Sequence, residues 1–373
     1  MSVEVRPDER ALRSGRRRRA LEQMAAHDLD VLVLGRQANV RYVTGAPQLW
    51  VAGTRPFGPT CVLVRQTGAI HLLSTWDEGV PEDIPHENLY GISWNPVNTI
   101  SALQRIDGAA TARRVGTDAL SPAFAQLLPT AFPNAALVDG ELAMRAARRI
   151  KTADEVASLR EAIAVAESGL AAAVSELRPG VSEQLLAGVL LEAMAAGGVS
   201  TPSNQDVAWV TSREHPWRVS PGGRGRRIDE GDLVAFSAGV LAGGYVGEVG
   251  RTWPAGSTGG AALYRRWDGL WARLLAACRP GAAADGLLAA YAAAGEPAPP
   301  MPVARGLGMG FDPPVVSQHL PQSASAERLE PGMVLAVTGY VWERGVGAVF
   351  GREAVLINAD GPEVLTSSPS WQE

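Results

Sequence analysis

The chain changes character at Thr152, and that point constrains its architecture more than any other. Thr152-Ala153-Asp154-Glu155 has capping-box spacing: the threonine hydroxyl and the glutamate three residues on satisfy orphan amides at a helix start. Val156, Leu159, Ile163, Ala166 and Leu170 then recur at helical period, which predicts one long amphipathic helix. Its apolar stripe must be buried, so a second layer has to lie against it. Ahead of Thr152 the pattern differs, alternating short helical and short strand segments. A length of 373 residues is generous for one core. Two domains are therefore expected, 1–147 and 148–373.

In the first half, Glu9 to about His27 reads as helix and Asp30-Val31-Leu32-Val33-Leu34 as a short apolar strand. Asn39 to Gly45 reads as a turn, and Cys61–Val64 with Ala69–Leu73 reads as a hairpin around Gln66-Thr67-Gly68. In the second half Pro179-Gly180 breaks the long helix, and Ser182 caps a second one that stops at Gly197-Gly198. Strands and glycine turns follow, then a helical stretch from about Ala261 to Cys278. The proline-rich run Pro297–Pro302 reads as a rigid connector.

Composition narrows the partners. A net charge of −5 gives no reason to expect nucleic acid or another polyanion. No apolar run approaches the roughly 20 residues of a membrane span, and the N-terminus has no hydrophobic secretory segment. Cys61 and Cys278, far apart in sequence, are expected to be two buried thiols, as suits a reducing cytoplasm. The run Arg16-Arg17-Arg18-Arg19 lies between Leu12 and Leu21 on the first helix and is expected to be a solvated face.

Gly231-Asp232-Leu233-Val234-Ala235-Phe236-Ser237, followed by Gly244-Tyr245-Val246-Gly247-Glu248-Val249-Gly250-Arg251-Thr252-Trp253, resembles the strand pair that opens the metal site of the pita-bread hydrolases. That superfamily includes methionine aminopeptidase, Xaa-Pro aminopeptidase and creatinase. Arg149–Glu155, Gly306-Leu307-Gly308-Met309-Gly310-Phe311-Asp312-Pro313-Pro314, Leu329–Leu335 and Gly351–Thr366 are similar, in order, to further landmarks of its creatinase and Xaa-Pro aminopeptidase branch. The N-terminal half is similar chiefly through Asn39 to Gly45. The resemblance implies an α+β fold, with a pita-bread C-terminal domain behind a smaller creatinase-like α/β N-terminal domain. It also implies a homodimer, in which the loop carrying Trp50, Arg55 and Phe57 reaches the neighbouring subunit's cleft.

Metal-dependent members hold two divalent ions with two aspartates, one histidine and two glutamates. Carried onto this chain, those five positions are Ser237, Glu248, Arg305, Thr338 and Arg352. One carboxylate, two hydroxyls and two guanidinium groups cannot offset two dications, and arginine does not deprotonate to become a ligand. No metal and no other cofactor is expected. A peptidase substrate histidine falls near Phe311 or Asp312, another near Ser220, and neither is kept. Gly250 stands where creatinase, itself metal-free, has a catalytic glutamate, which argues against creatine as substrate.

The resemblance then implies a small-molecule site in the interdomain cleft. Arg305 and Arg352 would hold a small polar or anionic substrate, because guanidinium forks match carboxylate and phosphate. Glu248, Asp312 and His215 are the candidate proton carriers, Asp312 and Glu353 doubling as possible partners for the arginines. Ser237, Thr338, Tyr340 and Trp217 would shape the cleft. The expected chemistry is metal-independent acid–base work, C–N bond cleavage or a related step. The alternative is a non-catalytic binding or scaffold protein in which Arg305, Arg352 and Glu248 form a replacement strut; a metal-dependent Xaa-Pro aminopeptidase is the third reading. The Gly222–Arg227 turn is expected to be solvated, and Gly306-x-Gly308-x-Gly310 lacks dinucleotide-fingerprint spacing.

Overall fold

The computed structural model describes residues 8–47, 58–91, 93, 95–199, 203, 208–217, 226–256, 260–310, 312–320 and 327–371. The chain divides into two units, Met1–Arg148 and Arg149–Glu373.

The first unit is a mixed six-stranded sheet flanked by helices. Its strands are β1 (Val31–Leu34), β2 (Cys61–Val64), β3 (Ile70–Leu73), β4 (Leu89–Tyr90), β5 (Arg114–Thr117) and β6 (Ala136–Asp139), ordered β4-β3-β2-β1-β5-β6. The helices are α1 (Glu9–Ala26), α2 (Gln37–Thr44), α3 (Pro96–Leu103), α4 (Pro122–Ala131) and α5 (Glu141–Arg149). β1 is central and apolar on both faces, pairing antiparallel with β2 and parallel with β5. Two expectations need correction. Asn39 to Gly45 is a helix, α2, with Gly45 as its left-handed cap at φ 75°; the stretch is short and β-branched, so only its end was marked. The arginine run is not a solvated face. Arg16 is 2% exposed, and Arg17 bonds Asp83 Oδ2 at 2.7 Å; only Arg18 of the four is fully outward.

The second unit carries α6 (Ala153–Ser175), α7 (Glu183–Ala196), α8 (Ala261–Ala277) and α9 (Gly286–Ala294). The capping box forms as the spacing predicts: Thr152 Oγ1 accepts from Glu155 N, and Glu155 Oε2 accepts from Thr152 N. The strands are β7 (Ala208–Val210), β8 (Leu233–Ala242), β9 (Tyr245–Pro254), β10 (Ala304–Gly306), β11 (Asp312–Val316), β12 (Val334–Glu343), β13 (Gly347–Asn358) and β14 (Gly361–Val364). They order as β11-β10-β12-β13-β9-β8-β7, with β14 on β13. β8 and β9 close a hairpin through Gly243-Gly244, both at positive φ (55° and 89°), the backbone a tight two-residue turn needs.

Strand alternation gives this sheet two different faces. Leu335, Val337, Val341, Val349 and Val355 join the core beneath α8 and α9. The approach is close enough to demand glycine: a Cβ at Gly339 would lie 2.7 Å from Trp267 Nε1, and one at Gly351 2.8 Å from its Cε2. α6 approaches β9 the same way, where a Cβ at Gly247 would lie 2.5 Å from Ile163 N. The helices thus take the face of Gly247, Arg251, Gly351 and Glu353. The opposite face carries Ser237, Glu248, Thr338 and Arg352.

Candidate functional site

Five residues far apart in sequence meet on that opposite face because the register aligns them. Thr338 pairs with Arg352, Arg352 with Gly250, and Gly250 with Ser237. Glu248 is two residues from Gly250 on the same face of β9, and Arg305 enters from β10, opposite Ala336. Thr252 Oγ1 locks the β9–β13 junction, donating to Phe350 O at 2.9 Å and accepting from Phe350 N at 2.8 Å.

Glu248 is the centre of the group and is 1% exposed as a side chain. Arg305 Nη2 donates to its Oε1. Arg352 Nη1 reaches Oε2 at 3.4 Å, and Ser203 Oγ lies 3.5 Å from Oε1. Arg352 also donates from Nε to Thr338 Oγ1 at 3.2 Å and from Nη1 to Ser237 Oγ at 3.4 Å. Its guanidinium carbon stands 5.3 Å from the Phe350 ring centroid, a cation–π distance. Burial is the largest pull lowering the Arg352 pKa; Glu248 opposes it and the Arg305 charge adds to it. Even so, a guanidinium keeps its proton at any ordinary pH. Among the described residues, both guanidinium groups reach the buried carboxylate of Glu248.

The other candidates lie in different settings. Asp312 is fully buried, and Lys151 Nζ donates to its Oδ2 at 3.0 Å. Glu353, expected as a possible helper, occurs one residue after Arg352 and so faces the other way. It pairs there with Arg251 at 2.9 Å, both side chains at least nine-tenths buried. His215 is exposed on the loop after β7, its backbone amide held by Ser212 Oγ at 3.1 Å. That loop is tied down: Trp342 Nε1 donates to Ser212 O at 2.7 Å, and Tyr340 Oη donates to Pro216 O. Trp217 leans on Tyr340 with ring centroids 5.7 Å apart. Burial pushes the Tyr340 phenol up to about 12, so it remains a hydrogen-bond donor. Trp50, Arg55, Phe57, Ser220, Phe311 and all but the last two residues of the Gly222–Arg227 turn lie outside the described residues.

Sequence reasoning missed Phe350 and Lys151. Phe350 could have been found from alternation, since it is two residues before Arg352 on one strand. It explains Gly250: a Cβ there would lie 2.8 Å from Phe350 Cζ and 2.9 Å from Arg352 Cβ. The ring fills the space a longer side chain at 250 would need. Lys151 gave no comparable signal.

The donor set does not fit a pair of divalent ions. Hard cations take several oxygen ligands with carboxylates among them, whereas among the described residues this group offers one carboxylate already engaged, two hydroxyls and two fixed positive charges. Among the described residues, no cluster of three or more His, Cys, Asp or Glu is placed to hold a metal ion. Nor, among those residues, is any helix long and apolar enough to cross a membrane.

The sequence matches the profile of metallopeptidase family M24 over residues 157–359 and that of the creatinase/prolidase N-terminal domain over residues 16–150. The chain belongs to metallopeptidase family M24, with the pita-bread fold and a creatinase-like N-terminal domain. Among curated relatives, it is 27% identical over 370 residues to the uncharacterized hydrolase/peptidase y4tL of Sinorhizobium fredii, covering 93% of this chain and 92% of that protein. It is 23% identical over 386 residues to creatinase from a Bacillus species, covering 96% and 91%. Among solved structures, prolidase from Pyrococcus horikoshii OT3 superposes with a TM-score of 0.76 at 19% identity, over 95% of this chain and 99% of that one. The Xaa-Pro dipeptidase from Bacillus anthracis gives 0.76 at 18%, over 96% and 99%. Its relatives are hydrolases and peptidases, which supports an enzyme at that coarse level.

Proposed function

We propose that this chain is a metal-independent member of the family that acts on a small anionic or zwitterionic substrate by acid–base chemistry, with C–N bond cleavage the reaction class. One observation carries the reading: Arg305 and Arg352 both reach the carboxylate of Glu248, and all three side chains are 15% exposed or less. A buried positive excess is costly unless an anion offsets it. A substrate carboxylate does so, and guanidinium forks bind it bidentately. Held against the same group, a developing negative charge on the reacting atoms would be stabilised by donors already in place. Glu248 is the proton carrier of this proposal, with Asp312 and His215 retained as further candidates. Asp312 would need release from Lys151 to serve, and His215 a ligand reaching the rim.

The second reading, a non-catalytic anion-binding protein, is favoured by a specific feature. Guanidinium groups engage both oxygens of Glu248, so the carboxylate is already occupied as a hydrogen-bond acceptor. Incubating chelator-treated protein with N-substituted amino acids and assaying released amine separates the two. Turnover that survives chelation and vanishes in Glu248→Gln supports the enzyme. Saturable binding without turnover supports the binding protein. Turnover that requires added Mn²⁺, Co²⁺ or Zn²⁺ overturns both.

A further inference from the structure

We infer that Arg251 and Glu353 are positioning residues: from the back of the sheet, and closed by residues 366–368, they set the approach of Glu248 to Arg352. The inference rests on the reading above in taking that contact as the working part of the site.

The contact joins two separate hairpins. Ser237 and Glu248 belong to β8–β9, and Thr338 and Arg352 belong to β12–β13. Arg352 and Gly250 are the registered pair between the two hairpins. Two residues along, both backbone groups of Phe350 bond the Thr252 side chain. A junction with so little regular ladder leaves the strands room to shift. Contacts on the site face are too long to prevent that: Arg352 reaches Thr338 at 3.2 Å, and Ser237 and Glu248 at 3.4 Å.

The back face is tighter. Alternation turns Arg251 and Glu353, the chain neighbours of the registered pair, away from the site. Arg251 Nη1 donates to Gly250 O at 2.8 Å and reaches Arg352 O at 3.4 Å, so one nitrogen bridges the backbone of both strands. Glu353 fixes that guanidinium, with Oε1 2.9 Å from Nη1 and Oε2 accepting from Nη2 at 3.0 Å. Residues 366–368 close the arrangement. Thr366 Oγ1 donates to Glu353 Oε2, while Ser368 O accepts from Arg251 Nη2 at 2.8 Å and from Nε at 3.3 Å. Glu167 on α6 holds this segment in turn, accepting from Ser367 Oγ at 2.9 Å and from the Ser367 and Ser368 amides.

Each guanidinium nitrogen of Arg251 is therefore engaged, and the planar fork leaves little slack. Sliding one strand past the other would break these bonds around a buried pair, where an unmet charge is costly. Lysine at 251 would keep the charge, but one ammonium cannot span both strand carbonyls, the carboxylate and Ser368.

The test follows the Arg352 Nε–Hε signal by NMR in the whole chain with isotope-labelled arginine, identified by its absence from Arg352→Lys. Its exchange with solvent reports how firmly Arg352 is held on Thr338. Arg251→Lys and the shape-preserving Glu353→Gln should each speed that exchange about ten-fold. Leu274→Ala hollows the core of the same unit away from the pair; it lowers stability and should leave the exchange within about two-fold. Wild-type exchange in folded Arg251→Lys and Glu353→Gln overturns the positioning role, and so does an equal rise in Leu274→Ala. Should Arg251→Lys not fold, Glu353→Gln decides alone. No substrate enters this measurement, so failure of the anion-site reading shows in the amine-release assay and leaves these rates standing.

Discussion

Replacing Glu248 by Gln preserves shape and removes the carboxylate that Arg305 and Arg352 both reach. At ~4 Å and an effective dielectric of about 20, each ion pair contributes about 4 kcal/mol of gross attraction. Water reaching the partly exposed arginines reduces that figure, and the desolvation already incurred remains. Breaking a buried pair by removing one partner costs about 3–5 kcal/mol. For a unit of about 200 residues that corresponds to a fall in melting temperature of roughly 6–20 °C. Differential scanning calorimetry is the assay, with the transition of the C-terminal unit followed separately because two units need not melt together. The control is the triple variant Arg305→Met, Glu248→Met, Arg352→Leu. Replacing all three charges by apolar groups should leave the melting temperature unchanged or raise it, since well-packed apolar residues often match a buried ion triad. If Glu248→Gln melts within 2 °C of wild type, the arginines do not depend on Glu248, and the charge arithmetic behind the site is wrong.

Other consequences are narrower. Gly250→Ala drives a Cβ into Phe350 and Arg352, so it should destabilise by about 1–3 kcal/mol in urea unfolding; Gly250→Ala combined with Phe350→Leu should recover most of that loss. Lys151→Met removes the ammonium paired with the fully buried Asp312 carboxylate and should cost about 3–5 kcal/mol, with Asp312→Asn in the same chain restoring part of it. Burial holds Glu353 above its ordinary value of 4.5, against the pull of Arg251. The folded state therefore keeps that proton in a window where the unfolded chain has lost it, and stability falls as pH rises from 4.5 through the folded value. Unfolding free energies across that window should show this negative slope in wild type and a flatter one in Glu353→Gln.

Local rules reached some of these features and not others. Thr152, Glu155 and Ser182 announced their helices because caps are written within three or four residues. Alternation along β12 and β13 was enough to gather Thr338, Tyr340, Phe350 and Arg352 on one face, although it was applied to Phe350 only with the structure in hand. The same rule puts Glu353 on the other side, away from the arginines it was expected to help neutralise. The Lys151–Asp312 pair joins residues 161 apart in sequence, and no local pattern encodes such a contact. Arg16 belongs to the same class: a helix repeat says which residues share a face, but its burial depends on what the fold lays over that face. The positions Ser237, Arg305, Thr338 and Arg352 stood out in the sequence against the ligand set the resemblance implies, but their chemistry needed the hydrogen-bond distances.

The central claim, that guanidinium groups have taken the role of divalent ions in this fold, is most directly tested by metal binding to the folded protein. Chelator-stripped protein would be titrated with Mn²⁺, Co²⁺ and Zn²⁺ in a calorimeter, and metal content measured after dialysis. The account predicts no stoichiometric uptake in wild type or in Glu248→Gln. One or two equivalents bound by wild type and lost in Glu248→Gln would contradict it.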